Sequence, residues 1–164
     1  MRIIKKNNVW IDEFTKKPLK RIETLPQYLY HGTKESNIRE ICKYGLLSTR
    51  KTGKVEQWRV GEVEGISGSR ENVIYFLMKM EAARAHAESV AYEIDTPVVF
   101  RTESKRLLER KCLLFADPEF ADQAAPFAET ESLLTSCFIS PKDLSFSDYE
   151  GLQHENPKWQ KCTD

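Results

Sequence analysis

Apolar and polar positions along this chain repeat with two different periods, and the switches between them mark its elements. An apolar run ends at YHGT, residues 30–33, and the stretch that follows carries Ile38, Ile41 and Cys42 at the spacing of one helix face. Ser36 stands where a helix N-cap belongs, and Gly45 supplies the left-handed residue that ends the helix. His31 is thereby expected at a strand end, against a rigid turn. A second run, 73–77, has the length and composition of a buried strand and leads into a helix with Met80, Ala83, Ala87 and Ala91 inward. After Pro97, VVFR predicts a strand and ESKRLLER a short helix. LLFADPEFADQAAPFAE is a loop-rich approach to a last strand over 133–139.

The segments between these elements are polar. Residues 53–68 are glycine-rich and form a long loop of the kind that is usually functional or mobile, with Trp58 either a packing anchor or a stacking surface. Residues 1–26, interrupted by Pro18 and Pro26, are expected to form a basic arm with a short strand or turn around 9–14. Residues 27–148 hold the domain, and 149–164 a polar tail with Trp159 as its large anchor.

Composition narrows the field. A chain of 164 residues builds one core, and its 25 basic and 25 acidic residues cancel, so no global field draws it to nucleic acid or membrane. Local charge is less even. Arg2, Lys5, Lys6, Lys16, Lys17, Lys20 and Arg21 outnumber Asp12 and Glu13, and Arg50, Lys51, Lys54 and Arg59 form a second cluster; each is either a solvated surface or a contact for phosphate. The cysteines, Cys42, Cys112, Cys137 and Cys162, show no metal-ligand spacing, so no metal site is expected. Cys42 and Cys137 fall on apolar faces as small core residues, which fits a reducing cytoplasm. With no apolar segment of about 18 residues and no signal-peptide pattern, a soluble, cytoplasmic protein is expected.

The candidate chemistry lies at three places. His31 is either a hydrogen-bonded structural residue or a ligand-binding imidazole; beside it Gly32 lets a ligand approach the backbone and Thr33 offers a hydroxyl. Tyr75 sits within the second strand, where aromatics usually serve the core, and His86 on the helix after it. Glu129 and Glu131, one residue apart ahead of the last strand, are either solvated rim charges or a pair set to stabilise a developing cation and orient a nucleophile.

Taken in order, the YHGT turn, the helix ending in GLL, the strand VIYFL leading into an alanine-rich helix, and a late glutamate before a strand closing in ISPKDL resemble the ADP-ribosyltransferase superfamily. The likeness is to the branch of diphtheria toxin and the poly(ADP-ribose) polymerases, with its His, Tyr, Glu signature, and covers residues 28–145. It implies an α+β fold of two small, mostly antiparallel sheets packed across an NAD cleft with flanking helices, His31 and Tyr75 on facing strands. It further implies that His31 bonds the adenosine-side ribose of NAD, that the Gly32 backbone grips the nicotinamide carboxamide, and that Tyr75 packs against the nicotinamide ring. His86 falls where the polymerases carry a second stacking tyrosine, and Ala83 where they carry a carboxamide-binding serine. Arg50 is near enough in sequence to reach the pyrophosphate, and 53–68 corresponds to a lid. Glu131 is the implied catalytic carboxylate and Glu129 the one that engages the acceptor.

The function so implied is transfer of ADP-ribose from NAD, as co-substrate, to a macromolecular acceptor, protein or nucleic acid, with release of nicotinamide. Two alternatives stand beside it. An RNA 2'-phosphotransferase of the same fold would carry an N-terminal winged-helix-like segment, for which 26 residues are too few. A non-catalytic NAD-binding module is the other, and the Ala83 and His86 departures keep that option open. Neither the acceptor nor the oligomeric state is written in the residues.

Overall fold

The computed structural model describes residues 3–13, 15–47, 73–117, 132–135, 149–151 and 158–162. Strands β1 (Ile3–Lys6) and β2 (Val9–Asp12) form an antiparallel hairpin; β3 (Tyr28–Lys34) runs through a 3-10 turn (Glu35–Asn37) into helix α1 (Ile38–Tyr44). Strand β4 (Ile74–Leu77) precedes helix α2 (Met80–Ala91), then come β5 (Pro97–Glu103), α3 (Ser104–Glu109), β6 (Leu114–Ala116), β7 (Ser132–Thr135) and β8 (Tyr149–Gly151). The fold is α+β. Beside the hairpin, six strands are ordered β6-β7-β4-β3-β5-β8, every neighbouring pair antiparallel.

That sheet is divided in the middle. β3 pairs with β5 along its whole length, Tyr28↔Glu103 to Lys34↔Pro97, whereas it meets β4 at one pair, Tyr30↔Leu77. Two three-stranded halves, β6-β7-β4 and β3-β5-β8, therefore join at a single point and diverge beyond it. Both central strands are apolar for the same reason: Leu29 on β3 and Val98, Val99 and Phe100 on β5 are buried between layers on the two faces.

One layer is the main core, in which Leu29, Ile74, Phe76, Phe100, Leu107 and Leu133 pack with Cys42 of α1. The other is made by α2. Its alanines are good helix formers, and Ala83, Ala87 and Ala91 turn inward as the pattern predicts. Small side chains let the helix backbone come down onto the strand. A Cβ on Gly32 would run into the Ala83 carbonyl and lie 2.8 Å from the Ala87 nitrogen.

The helix after β3 differs in its start. Ser36 lies inside the 3-10 turn and α1 begins at Ile38; the turn is held by Asp95, which accepts the Ser36 amide at 3.4 Å and that of Thr96 at 2.8 Å. A hydrogen bond from the Ser36 side chain lowers the Asp95 pKa most, burial opposes it, and the Thr96 and Ser36 amides add to the lowering. Gly45, at φ 85°, ends the helix as expected.

The N-terminal segment is not a detached arm. Asn7 and Asn8, both with positive φ, make the two-residue turn that matches strand twist. The hairpin then lays Ile3 and Trp10 against Phe115, with the Trp10 and Phe115 rings 5.7 Å apart. Beyond it, the Ile22 amide donates to Leu114 and the Ala116 amide to Lys20, so this stretch flanks β6. Hence LFA, expected as loop, is a strand held between two neighbours.

Cys42 is buried as a core residue should be, but its sulfur is bonded to Cys162, with the Cα atoms 4.9 Å apart. It is not the free thiol that a reducing compartment keeps. No helix among the described residues is long and apolar enough to cross a membrane.

Candidate functional site at the fork of the sheet

Where β3 and β4 part, a side chain takes over from the ladder. His31 lies one residue past the last shared pair, and its Nδ1 is 2.9 Å from the carbonyl oxygen of Tyr75. A carbonyl only accepts, so Nδ1 carries the proton, and Nε2 of the neutral ring is left as an acceptor. The ring is half-buried and meets Phe76 edge-on, centroids 6.4 Å apart. Tautomer and orientation are thus set by the protein before any ligand arrives.

His31 and Tyr75 sit on neighbouring strands of one sheet, not on strands facing across a cleft. Pleating sends their rings to opposite faces. The imidazole goes to the Phe76 side, while the Tyr75 ring packs with Val73, Phe115, Ile3 and Trp10. What joins the two residues is the imidazole and the Tyr75 carbonyl.

Gly32 faces α2, and the same helix brings His86 to it: the His86 Cδ2 atom lies 3.2 Å from where a Gly32 Cβ would stand. The missing side chain thus admits a helix as well as the half-buried imidazole of His86. Ala83 is fully buried at this approach, so no side-chain hydroxyl is present there. Thr33 is 4% exposed, and its hydroxyl accepts from the Asn37 amide at 2.9 Å. That bond fastens the 3-10 turn to the strand, which gives Thr33 an internal partner in place of an open face. Asn37 precedes α1, and its side chain turns back to the strand and does not cap the helix.

On the α2 face, Arg101 lies between two aromatic rings, its guanidinium carbon 4.5 Å from the Tyr28 centroid and 4.1 Å from that of Trp159. Tyr30 packs beside this stack with Ala83, Ala87 and Val99. Burial raises the pKa of its phenol, and the charge of Arg101 opposes that rise. Pairing of Tyr30 with Arg101 across the ladder places them side by side.

The fork therefore joins His31 to the Tyr75 backbone on one face of β3, while Gly32 and His86 meet on the other, under α2. Arg50, the 53–68 loop with Trp58, Glu129 and Glu131 lie outside the described residues. Strand β7 starts at Ser132, paired with Leu77, and Leu77 is the residue that pairs with Tyr30 at the fork. Among the described residues no group of His, Cys, Asp and Glu could hold a metal ion.

No family model matches this chain, and no curated protein matches it. Among solved structures it is similar to Thermus sp. 2.9 DarT in complex with carba-NAD+, at a TM-score of 0.46 and 11% identity, over 74% of this chain and 81% of that one.

Proposed function

We propose that the chain is an NAD-consuming ADP-ribosyltransferase that works at the fork of its sheet. The observation that carries this reading is the locked imidazole of His31, whose Nδ1–H is committed to the Tyr75 carbonyl. An Nε2 acceptor held in one orientation suits a ribose hydroxyl, which donates to it without reorganising the ring. The side of Gly32 is filled by α2, so it is the Gly32 backbone, on the edge of β3 that β4 leaves open, that has the role of holding the nicotinamide carboxamide in the proposal.

The bond to be broken joins nicotinamide to ribose. As nicotinamide leaves, positive charge develops on the ribose, and a nearby carboxylate stabilises that state more than it stabilises bound NAD. Glu131 has this role in the proposal. The residue after it in sequence opens β7, whose first pair is with Leu77 at the fork. Glu129 takes the acceptor side, orienting or deprotonating the incoming nucleophile. The acceptor is a macromolecule, protein or nucleic acid, and the two basic clusters of the sequence suit a phosphate-bearing partner or the NAD pyrophosphate, for which Arg50 is the proposed contact.

Incubation of the purified protein with NAD alone, with nucleic acid and with cell lysate, followed by measurement of nicotinamide, tests this reading. Release stimulated by an acceptor supports transfer. NAD that binds but is never cleaved under any of the three conditions replaces the enzyme with a binding module, and absence of binding removes the reading altogether.

A further inference from the structure

The disulfide and the aromatic stack share one short piece of chain. Of residues 158–162, Trp159 and Cys162 are half-buried, while Lys158, Gln160 and Lys161 are exposed. Trp159 docks on Arg101 and on the α2 layer, where it packs with Ala83, Ala87, Val99, Tyr30 and Leu77. Three residues on, Cys162 is covalently joined to Cys42 of α1 and packs against the main core. The segment is thus fastened to the α2 layer by stacking and to α1 by a bond that closes a span of 120 residues.

We propose that the Cys42–Cys162 disulfide is a redox-operated catch for this C-terminal strap: oxidised, it holds Trp159 on Arg101; reduced, it lets the strap come away. The two sulfurs are unequal. Cys42 is 5% exposed, whereas Cys162 is half-buried among exposed neighbours, so a small thiolate reaches the Cys162 sulfur first. Attack there breaks the bond between the two cysteines, forms a mixed disulfide at Cys162 and expels Cys42 as a thiolate, which takes up a proton. A second thiol of the reductant then frees Cys162, so a dithiol becomes its cyclic disulfide and the protein gains two thiols. What remains to hold the strap includes the cation–π stack, the half-covered tryptophan and a backbone bridge at Gln160, and none of these carries the entropic restraint that the bond imposes on the open chain.

This inference does not depend on NAD, so its test uses conformation. The full chain, purified without reductant, is titrated with dithiothreitol; alkylation at Cys42 and Cys162 and tryptic cleavage after Lys158 and Lys161 are followed together by mass spectrometry after quenching. Both lysines are exposed, so the cleavage rate reports whether the backbone around them is docked. Expected are protected cysteines and slow cleavage before reduction, and cleavage at least tenfold faster once Cys162 alkylates. Cys162→Ser should be cleaved fast without reductant, and dithiothreitol should not speed it further. Trp159→Ala with the disulfide intact should lie between, since the stacking on Arg101 is lost and the bond is kept. Full alkylation of Cys162 in the unreduced protein, or equal cleavage of the oxidised and reduced forms, would overturn the catch. Circular dichroism of each form keeps the reading to the strap: a cleavage increase accompanied by loss of the whole fold also counts against it, because the bond would then be holding the domain and not the strap.

Discussion

Strand β3 has two edges that do opposite things. Toward β5 it makes seven consecutive pairs, and toward β4 it makes one. A full ladder satisfies the backbone and fixes the strand, so the residues on it are held whether or not anything binds. The open edge starts one residue after Tyr30, and there the structure substitutes a side chain, the imidazole of His31, for the next rung. A site built this way needs no flexible loop to place its first group. Rigidity comes from one edge and access from the other.

The comparison is broken most severely from the β5 side. Phe100 pairs with His31 and is fully buried in the main core. Phe100→Ala should cost about 3 to 5 kcal/mol of stability, the range for an aromatic truncated within a core. Chemical denaturation measures it. A loss under about 1 kcal/mol would mean that the β5 edge is not what holds β3.

Much of this was legible beforehand, and the reason is periodicity. The inward alanines of α2, the strand at VIYF and the glycine stop of α1 follow from spacing, because each depends on contacts a few residues apart. The hairpin at Asn7 and Asn8 was legible in principle from its Asn-Asn turn, but the surrounding charges concealed it. What spacing could not supply was pairing between distant segments. That β6 lies between 18–22 and β7, or that Cys42 meets Cys162, is decided by topology, and a strand of three residues has no period to detect. At the site, His31 stood out as a histidine beside glycine at an expected strand end; it lies in the middle of β3, which runs on to Lys34. The face on which Tyr75 emerges depended on the register at the fork, so the sequence left it open.

A second prediction asks whether the open edge carries chemistry. Glu131→Gln preserves shape and removes charge, so NAD should still bind while the barrier to nicotinamide release rises by about 2.7 to 4 kcal/mol, the scale of one preorganised electrostatic group. Glu129→Gln should spare NAD hydrolysis and reduce transfer to the acceptor. Nicotinamide assays with and without acceptor separate the two. Swapped phenotypes would reverse the assignment, and two fully active variants would leave both glutamates as rim charges.

The strand beside the fork can be crowded against α2, and the fork itself emptied. Gly32→Ala pushes a methyl group into the Ala83 carbonyl and the Ala87 nitrogen, both backbone, so α2 must shift; destabilisation of about 1 to 3 kcal/mol is expected. His31→Ala empties it. There the fold should survive, with NAD affinity weakened by roughly 1 to 3 kcal/mol, the worth of one or two hydrogen bonds. Calorimetry with intact NAD reads the second and thermal melting the first. Unchanged affinity in a folded His31→Ala variant would take the imidazole out of the site.

The smallest expected effect draws the boundary between the two edges most finely. Thr33 lies two residues past His31 on the same face of β3, yet it is buried and its hydroxyl already accepts from Asn37. If that hydroxyl belongs to the scaffold, Asn37→Ala removes one hydrogen bond and should cost about 0.5 to 1.5 kcal/mol of stability. NAD affinity should then stay within a factor of about two, because His31 is fixed by Tyr75 and not by the turn. A hydroxyl that served the ligand would behave differently. Freed of Asn37, it would gain or lose a bond to NAD, and affinity would move by tenfold or more while stability barely changed. Measuring both quantities on one variant therefore decides where the rigid part of β3 ends: a stability loss alone places Thr33 with the ladder, and an affinity change alone extends the open edge from His31 to Thr33.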